Sequence, residues 1–154
     1  MLKLLGDKPL GARDAPVVDR VLTTDPVAMC MVAARFEVHG ITPRLLGGEL
    51  WTAHDPTTSL CFSGANLIPL LGAPGDLDYF ADRAIAAPRL CSSIVGRAEL
   101  VMPMWDQLEP AWGPAREVRS VQPLLALPGP PEVAADPGVR MVTCLLYTSP
   151  SPRD

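Results

Sequence analysis

The most regular alternation of apolar and polar residues lies in residues 44–70. It predicts two strands joined by a tight turn at residues 54–57, where a proline fixes one backbone angle and Asp55 can hydrogen-bond its own backbone. One face of the first strand carries Leu46, Leu50 and Thr52. The other face carries Leu45, Glu49 and Trp51. The second strand begins at Thr58. Its run is interrupted by Gly64, which predicts a bulge or a close backbone approach.

Three segments have helical spacing instead. Asp76 is predicted to cap a helix that ends before Pro88; its apolar residues are Leu77, Phe80, Ala81, Ala84 and Ile85. Thr24 or Asp25 is predicted to cap an earlier helix that ends at Gly40; its apolar stripe is Val27, Cys30, Met31, Ala34 and Val38. A third helix is predicted over residues 98–112, and Pro103 inside it predicts either a kink there or a start near Met102.

Further strands are predicted at residues 17–22, 89–95, 117–127 and 139–143. Up to residue 127, these strands, the central unit and the helices give the order strand, helix, strand, bulged strand, helix, strand, helix, strand. This order predicts an α/β (α+β) fold.

The composition of the chain argues against several classes of function. The chain has 154 residues, a hydrophobic content of 48% and a net charge of −4. No basic stripe indicates nucleic-acid binding, and no apolar run is long enough to indicate a membrane span. Cys30, Cys61 and Cys91 each lie in an apolar run without metal-ligand spacing, so we expect buried thiols, a cytoplasmic location and no metal site.

The C-terminal part divides into segments of different composition. Residues 1–127 are predicted to form one domain, residues 128–138 a Pro/Gly-rich linker, and residues 139–143 the start of a second, truncated domain. Residues 144–154, CLLYTSPSPRD, resemble an in-frame translation of a transposase adapter from a sequencing library. The alternative is a natural Pro/Ser-rich tail. We expect the tail to be an artefact and the chain to be a fragment.

Several sequence words also carry a family resemblance. GGELW, SLCFSGANLIP, FADRA, SSIVG, WGPAREVR and QPLLAL occur in this order. Together they resemble a bacterial domain of uncharacterised function that precedes the catalytic domain in certain GNAT-family N-acetyltransferases. The resemblance implies a GNAT-like mixed, mostly antiparallel sheet with a bulged central strand and helices on both faces. It also implies that the catalytic domain, which would be this domain's partner and bind acetyl-CoA, lies beyond the chain.

The loop before the second predicted helix corresponds to the phosphate loop of GNAT domains, whose pattern is Q/R-x-x-G-x-G/A. Here it reads LGAPGD, with Gly72, Gly75 and Asp76. No Gln or Arg starts it, Pro74 lacks an N–H donor, and Asp76 adds negative charge where a phosphate would bind. We therefore expect a degenerate loop that binds no acetyl-CoA, although a site for another ligand stays open.

Candidate catalytic groups are few. Glu49 is a candidate general base, with pairing to an arginine or exposure to solvent as alternatives. Arg116, Glu117 and Arg119 form a charged cluster that either binds an anion or is a solvated ion pair. The function expected from the resemblance is a non-catalytic N-terminal domain of an N-acetyltransferase. The alternative is a stand-alone ligand-sensing or protein-interaction module.

Overall fold

The structure is a computed structural model that describes residues 9–130 and 132–139. The chain divides into two units, one ending at Leu124 and the other beginning at Leu125. The described part of the first unit contains α1 (Ala15–Leu22), α2 (Cys30–His39), α3 (Pro43–Leu46), β1 (Gly48–Trp51), β2 (Leu60–Gly64), β3 (Asn66–Leu71), α4 (Pro74–Ala86), β4 (Ser93–Ile94) and α5 (Ala98–Trp112). In the second unit, the described residues are exposed and form no helix or strand.

The four strands form one mixed sheet in the order β1-β2-β3-β4. The first three strands are antiparallel, whereas β3 and β4 are parallel and are connected through α4. In the central pair, the register of β2 against β3 shifts between Leu60 and Cys61, which places a β-bulge there. The prediction of a mixed, mostly antiparallel sheet with a bulged central strand is therefore confirmed, although the bulge lies at Leu60–Cys61 and not at Gly64, where it was predicted.

Both faces of this sheet are buried. Alternation along the strands places Leu50, Phe62 and Ile68 in one cluster, and Trp51, Cys61 and Leu67 in the other. The first cluster is completed by helices before the sheet, through Val18, Val21, Leu22, Val32, Phe36 and Leu46. The second is completed by α4 and α5, through Leu77, Phe80, Ala81, Ala84, Met104 and Leu108. The predicted arrangement of helices on both faces is thus confirmed.

The connection between β1 and β2 spans residues 52–59 and is longer than the predicted turn at 54–57, but Asp55 hydrogen-bonds its own backbone as predicted. The Asp55 Oδ1 atom accepts hydrogen bonds from the N–H and the hydroxyl of Thr57, both at 2.8 Å. The Oγ atom of buried Ser59 accepts a third hydrogen bond, at 3.0 Å, from the Ala53 N–H. These bonds order the turn, so the two strands pair in a defined register.

Two predicted strands are wrong at the N-terminal side. Residues 17–22 belong to α1, because the buried residues Val18, Val21 and Leu22 have the i, i+3, i+4 spacing of a helix. Residues 43–46 form the short helix α3, which ends where Gly47 adopts a left-handed conformation with φ of 77°. The first strand of the central unit consequently begins at Gly48.

The later strands also differ from the predictions. The single interrupted strand is really two strands, β2 and β3, because residues around Ala65 reverse the chain. The predicted strand at 89–95 is reduced to Ser93–Ile94. Residues 117–127 form no strand and are exposed, since no strand of the described sheet pairs with them.

Two of the three predicted helices lie at nearly the right places, but the predicted cap of the earliest one at Thr24 or Asp25 is wrong, because α2 begins at Cys30 with Met29 as its N-cap. The bounds of α5 match the prediction. In α4, the helix begins at Pro74, so Asp76 lies in the first turn and is not the N-cap, which is Ala73. In α2, Gly40 ends the helix as predicted, but the predicted apolar stripe is wrong because Val32 and Phe36 are the residues that it buries.

The remaining C-terminal predictions concern residues at the limit of the structure. Val139 is described and lies outside any strand, whereas residues 140–143 and the adapter-like residues 144–154 lie outside the described part. The predicted linker, where it is described, is exposed and irregular. Within the described residues, no helix combines the length and the apolar character needed to cross a bilayer.

Candidate functional site

Glu49 lies in β1 opposite Ser63 of β2. Its Oε2 atom accepts a hydrogen bond from the Trp51 Nε1–H at 3.0 Å and lies 3.9 Å from the Arg83 Nη2 atom. The guanidinium carbon of Arg83 is also 4.5 Å from the centroid of the Trp51 ring. Glu49 therefore joins β1 to α4 through an arginine, which is one of the two alternatives to a catalytic role.

The cluster around Arg83 is partly buried. The Arg83 side chain is only 14% exposed, and its Nη1 atom donates to the Tyr79 hydroxyl at 3.3 Å. A guanidinium over an indole ring is favourable, and more so where water is excluded. Sequence analysis missed Arg83, although its position three residues after the fully buried Phe80 placed it on the buried side of the helix.

The candidate phosphate loop connects β3 to α4. A Cβ on Gly72 would lie 3.2 Å from the Asp76 Cβ, so the loop packs closely on the first turn of the helix. The Asp76 Oδ2 atom accepts a hydrogen bond from the Ala73 N–H at 2.8 Å. The Asp76 and Leu77 N–H groups both donate to the Ala73 carbonyl. The Ala73, Asp76 and Leu77 N–H groups of this turn thus already have intramolecular acceptors.

Asp76 has a second contact that the sequence did not indicate. Its Oδ1 atom lies 3.4 Å from the Nδ1 atom of His54, which belongs to the turn between β1 and β2. The Asp76 side chain is 7% exposed, whereas His54 is 64% exposed. The carboxylate therefore fills the space at the start of α4, and His54 lies next to it. Gly75 follows Pro74 in the same turn, with open space around its Cα.

A cleft of about 280 Å³ lies between the end of β3 and the start of α5. Its lining residues are Thr24, Asp25, Met29, Leu70, Leu71, Gly72, Arg97, Glu99 and Leu100. The position is at the carboxyl ends of two parallel strands, where ligands bind in many α/β proteins. The sequence offered no signal for it, because its residues come from four separate segments.

Arg97 is held by two carboxylates in this cleft. Its Nη2 atom pairs with Asp25, and its Nη1 atom lies 3.6 Å from the Glu99 Oε1 atom. The Asp25 Oδ1 atom also accepts a hydrogen bond from the Ala28 N–H at 3.0 Å. The hydrogen bond from the Ala28 N–H lowers the pKa of Asp25 most, and the interaction with Arg97 lowers it further, so the pKa lies below its ordinary value. The arginine therefore meets any incoming anion with its charge already neutralised.

The buried thiols and the charged cluster beyond α5 do not form a reactive site. Burial raises the pKa of both the Cys61 and the Cys91 thiol, which disfavours the nucleophilic thiolate. The expected burial of Cys30 is wrong, because this cysteine is exposed. Arg119 donates from Nε to Glu117 at 3.0 Å, and both side chains are more than half exposed. Of the two alternatives for this cluster, an anion site or a solvated ion pair, the contact between Arg119 and Glu117 is the solvated ion pair. Within the described residues, no group of three or more His, Cys, Asp or Glu side chains could hold a metal ion.

The family of the Domain of unknown function (DUF4081) matches residues 48–146. The matched range begins at the first residue of β1 and ends inside the segment that resembles an adapter. Comparison with the curated proteins gave no match, and comparison with the solved structures gave none either.

Proposed function

The chain belongs to the DUF4081 family, and from that premise we propose that it is the non-catalytic N-terminal domain of an acetyl-CoA-dependent, GNAT-family N-acetyltransferase of the bacterial cytoplasm. Its partner would be a following catalytic domain, which binds acetyl-CoA and transfers the acetyl group to an amine. The sequence words that run from GGELW to QPLLAL support the family part of this proposal.

The unit β3–α4–β4–α5 adds support. In GNAT domains, a splayed, bulged strand comes before the helix whose N-terminus binds the pyrophosphate. Here β3 pairs with the parallel strand β4 only at Asn66 and Leu67. The remaining residues of β3, up to Leu71, extend beyond that pairing to the cleft. An arrangement of this kind is what the resemblance implies.

One observation carries the non-catalytic part: the buried carboxylate of Asp76 accepts the Ala73 N–H at the start of α4. A phosphate at a helix N-terminus needs free N–H donors and a favourable field. Asp76 already accepts the hydrogen bond of the Ala73 N–H and adds a negative charge within the first turn. Pro74 has no N–H to donate. A pyrophosphate would have to displace this carboxylate from its hydrogen bond.

Calorimetric titration with acetyl-CoA tests the proposal. The chain should give no measurable heat of binding, whereas the same chain extended along its native reading frame should bind acetyl-CoA. Asp76→Asn keeps a hydrogen-bond acceptor at the start of α4 but removes the negative charge. It therefore distinguishes the effect of the charge on acetyl-CoA binding from the effect of the loop conformation. Micromolar binding of acetyl-CoA by the chain itself would refute the proposal.

The alternative is a stand-alone ligand-sensing or protein-interaction module. The unbroken reading frame after Thr143 discriminates between the two functions. A further domain with Q/R-x-x-G-x-G/A between a strand and a helix would favour the acetyltransferase. A stop codon soon after the domain would favour the stand-alone module.

A further inference from the structure

A groove of about 340 Å³ lies between α1 and α2, away from the loop after β3. It is lined by Asp19, Leu22, Thr23, Ala33, Phe36 and Glu37. Its volume is within the range of small-molecule pockets, which begins at about 300 Å³. None of its residues contributes to the contacts that support the acetyltransferase proposal.

The two walls of this groove have matching patterns. Helix α2, and α1 together with its C-cap residue Thr23, each contribute residues at i, i+3 and i+4, which lie on one face of a helix. Each wall has one large apolar residue, Leu22 on α1 and Phe36 on α2, and both belong to the buried core. Each wall also has one carboxylate, Asp19 or Glu37, and both of these residues are exposed. The groove therefore has an apolar floor and an acidic rim.

The charge of this rim is not neutralised within the described part of the chain. Neither Asp19 nor Glu37 forms an ion pair with a described residue. The neighbouring basic residues, Arg20 and Arg35, do not line the groove. The Thr23 hydroxyl donates to the Arg20 carbonyl at 2.7 Å, so its oxygen remains able to accept a hydrogen bond.

We propose that the groove binds a small organic ammonium ion with a short apolar chain. The apolar chain packs on half-buried Ala33 and on the small accessible parts of Leu22 and Phe36, which are 2% and 8% exposed. The ammonium group lies at the rim, where Asp19 and Glu37 supply negative charge and an ammonium has N–H groups to donate to their oxygens. An anion of the same shape is repelled by both carboxylates, and a neutral molecule gains only the apolar contact.

This inference does not depend on the acetyltransferase proposal, because no acetyl-CoA enters its test. Hexylammonium is the probe, with hexanoate and hexanol as molecules of similar length and different charge. In a titration followed by two-dimensional NMR, hexylammonium should shift the amide signals of α1 and α2. Hexanoate should not shift them, and hexanol should shift them less. Since the rim is exposed, raising the salt concentration should weaken binding of hexylammonium.

Four variants sharpen the test. Asp19→Asn and Glu37→Gln should each weaken hexylammonium binding by roughly two- to fivefold, as expected for exposed charge pairs. Ala33→Leu fills the groove and should abolish binding with the spectrum otherwise retained. Its matched control is Ala34→Leu, since Ala34 is exposed on the same helix and does not line the groove.

A charge control comes from α5, where Glu109→Gln removes an exposed carboxylate far along the chain from the groove. It should leave the affinity for hexylammonium unchanged. The proposal is overturned if hexanoate binds as well as hexylammonium, or if Ala33→Leu still binds it with wild-type affinity. It is also overturned if a blocked lysine peptide binds and hexylammonium does not, because the ligand would then be a polypeptide.

Discussion

Replacing Gly64 by alanine should destabilise the fold through a steric contact in the β1–β2 pair. Gly64 lies opposite Gly48 in the register. A Cβ on Gly64 would be 2.5 Å from the Gly47 carbonyl oxygen and 2.9 Å from two atoms of the Phe62 ring. A Cβ on Gly48 would be 2.4 Å from the Ser63 carbonyl oxygen and 2.7 Å from the ring. Both glycines thus let an aromatic ring cover the backbone.

The cost can be bounded from these distances. Neither Gly64 nor Gly48 has a positive φ, so the backbone conformation itself is open to alanine. Overpacking of a filled core costs about 1–3 kcal/mol, while a Gly→Ala change lowers the entropy of the unfolded chain and returns about 0.4–1 kcal/mol. The balance of those two effects is a loss of up to about 2.6 kcal/mol, and we expect Gly64→Ala to fall in the upper part of that range because the added Cβ meets a backbone oxygen at 2.5 Å. Gly64→Val should cost more, because it adds further atoms at the same contact.

Urea unfolding followed by circular dichroism measures this change. Gly75→Ala is the matched control, because a Cβ there has no neighbour within 4 Å and lies in the first turn of α4. It should be neutral or stabilising, by up to about 1 kcal/mol. Equal midpoints for Gly64→Ala and the wild-type chain would show that β1 and β2 are not packed this closely. Phe62→Leu in the Gly64→Ala background should recover part of the loss if the ring is the obstacle.

Three further outcomes are expected from burial and charge. Cys30 is exposed and should be alkylated in the native chain, whereas buried Cys61 should react only after unfolding, as peptide mapping by mass spectrometry would show. Met104→Ala should cost about 2–5 kcal/mol in urea unfolding, because Met104 is fully buried; Met102→Ala, at a position 41% exposed, should cost less than about 1 kcal/mol. The pKa of Asp25 is lower in the folded chain than its ordinary value of 3.8, so its contribution to stability is present above that value and is lost as pH falls through the folded pKa. The stability difference between the wild-type chain and Asp25→Asn should therefore shrink as pH falls below about 4, and an unchanged difference would contradict the hydrogen bond from Ala28 and the ion pair with Arg97.

The elements that could be predicted from sequence are those with strong local determinants. The turn at Asp55 has its own side-chain hydrogen bonds, and α5 has a long periodic apolar stripe that ends at Gly113 with a φ of 80°. In α4, four of the five predicted apolar residues are buried, although Ile85 is 40% exposed. Such segments need little information from the rest of the fold.

The elements that failed depend on tertiary partners. Residues 17–22 contain three valines, which favour a strand, but a helix buries Val18, Val21 and Leu22 together against the first cluster. Residues 117–127 have strand-like composition, yet a strand requires a neighbour for its backbone groups, and the described sheet provides none. In residues 17–22, packing against the core thus outweighed the local strand propensity. In residues 117–127, the strand propensity had no neighbouring strand to pair with.

The same limit applies to the candidate sites. Glu49 and Asp76 could be named from sequence, because a carboxylate in a strand and one at a helix start stand out in a local pattern. Their partners, Arg83 and His54, lie on other elements and became visible only in the structure. The degenerate character of the loop at Gly72 and Gly75 could be stated from residue types alone. Its chemical reason, a carboxylate that already holds the Ala73 N–H, required the geometry.

Helix α2 shows how this limit hid the groove. Its sequence offers two apolar faces, and periodicity favoured the one that contains Met31 and Val38, which are 47% and 73% exposed. The face with Val32 and Phe36 is buried instead, since an aromatic residue removes more apolar area from water than the smaller residues of the other face. With Phe36 in the core, Glu37 and Ala33 necessarily turn towards α1, where Asp19 and Leu22 lie. The choice of buried face therefore creates the acidic groove, which no single-helix pattern could have predicted.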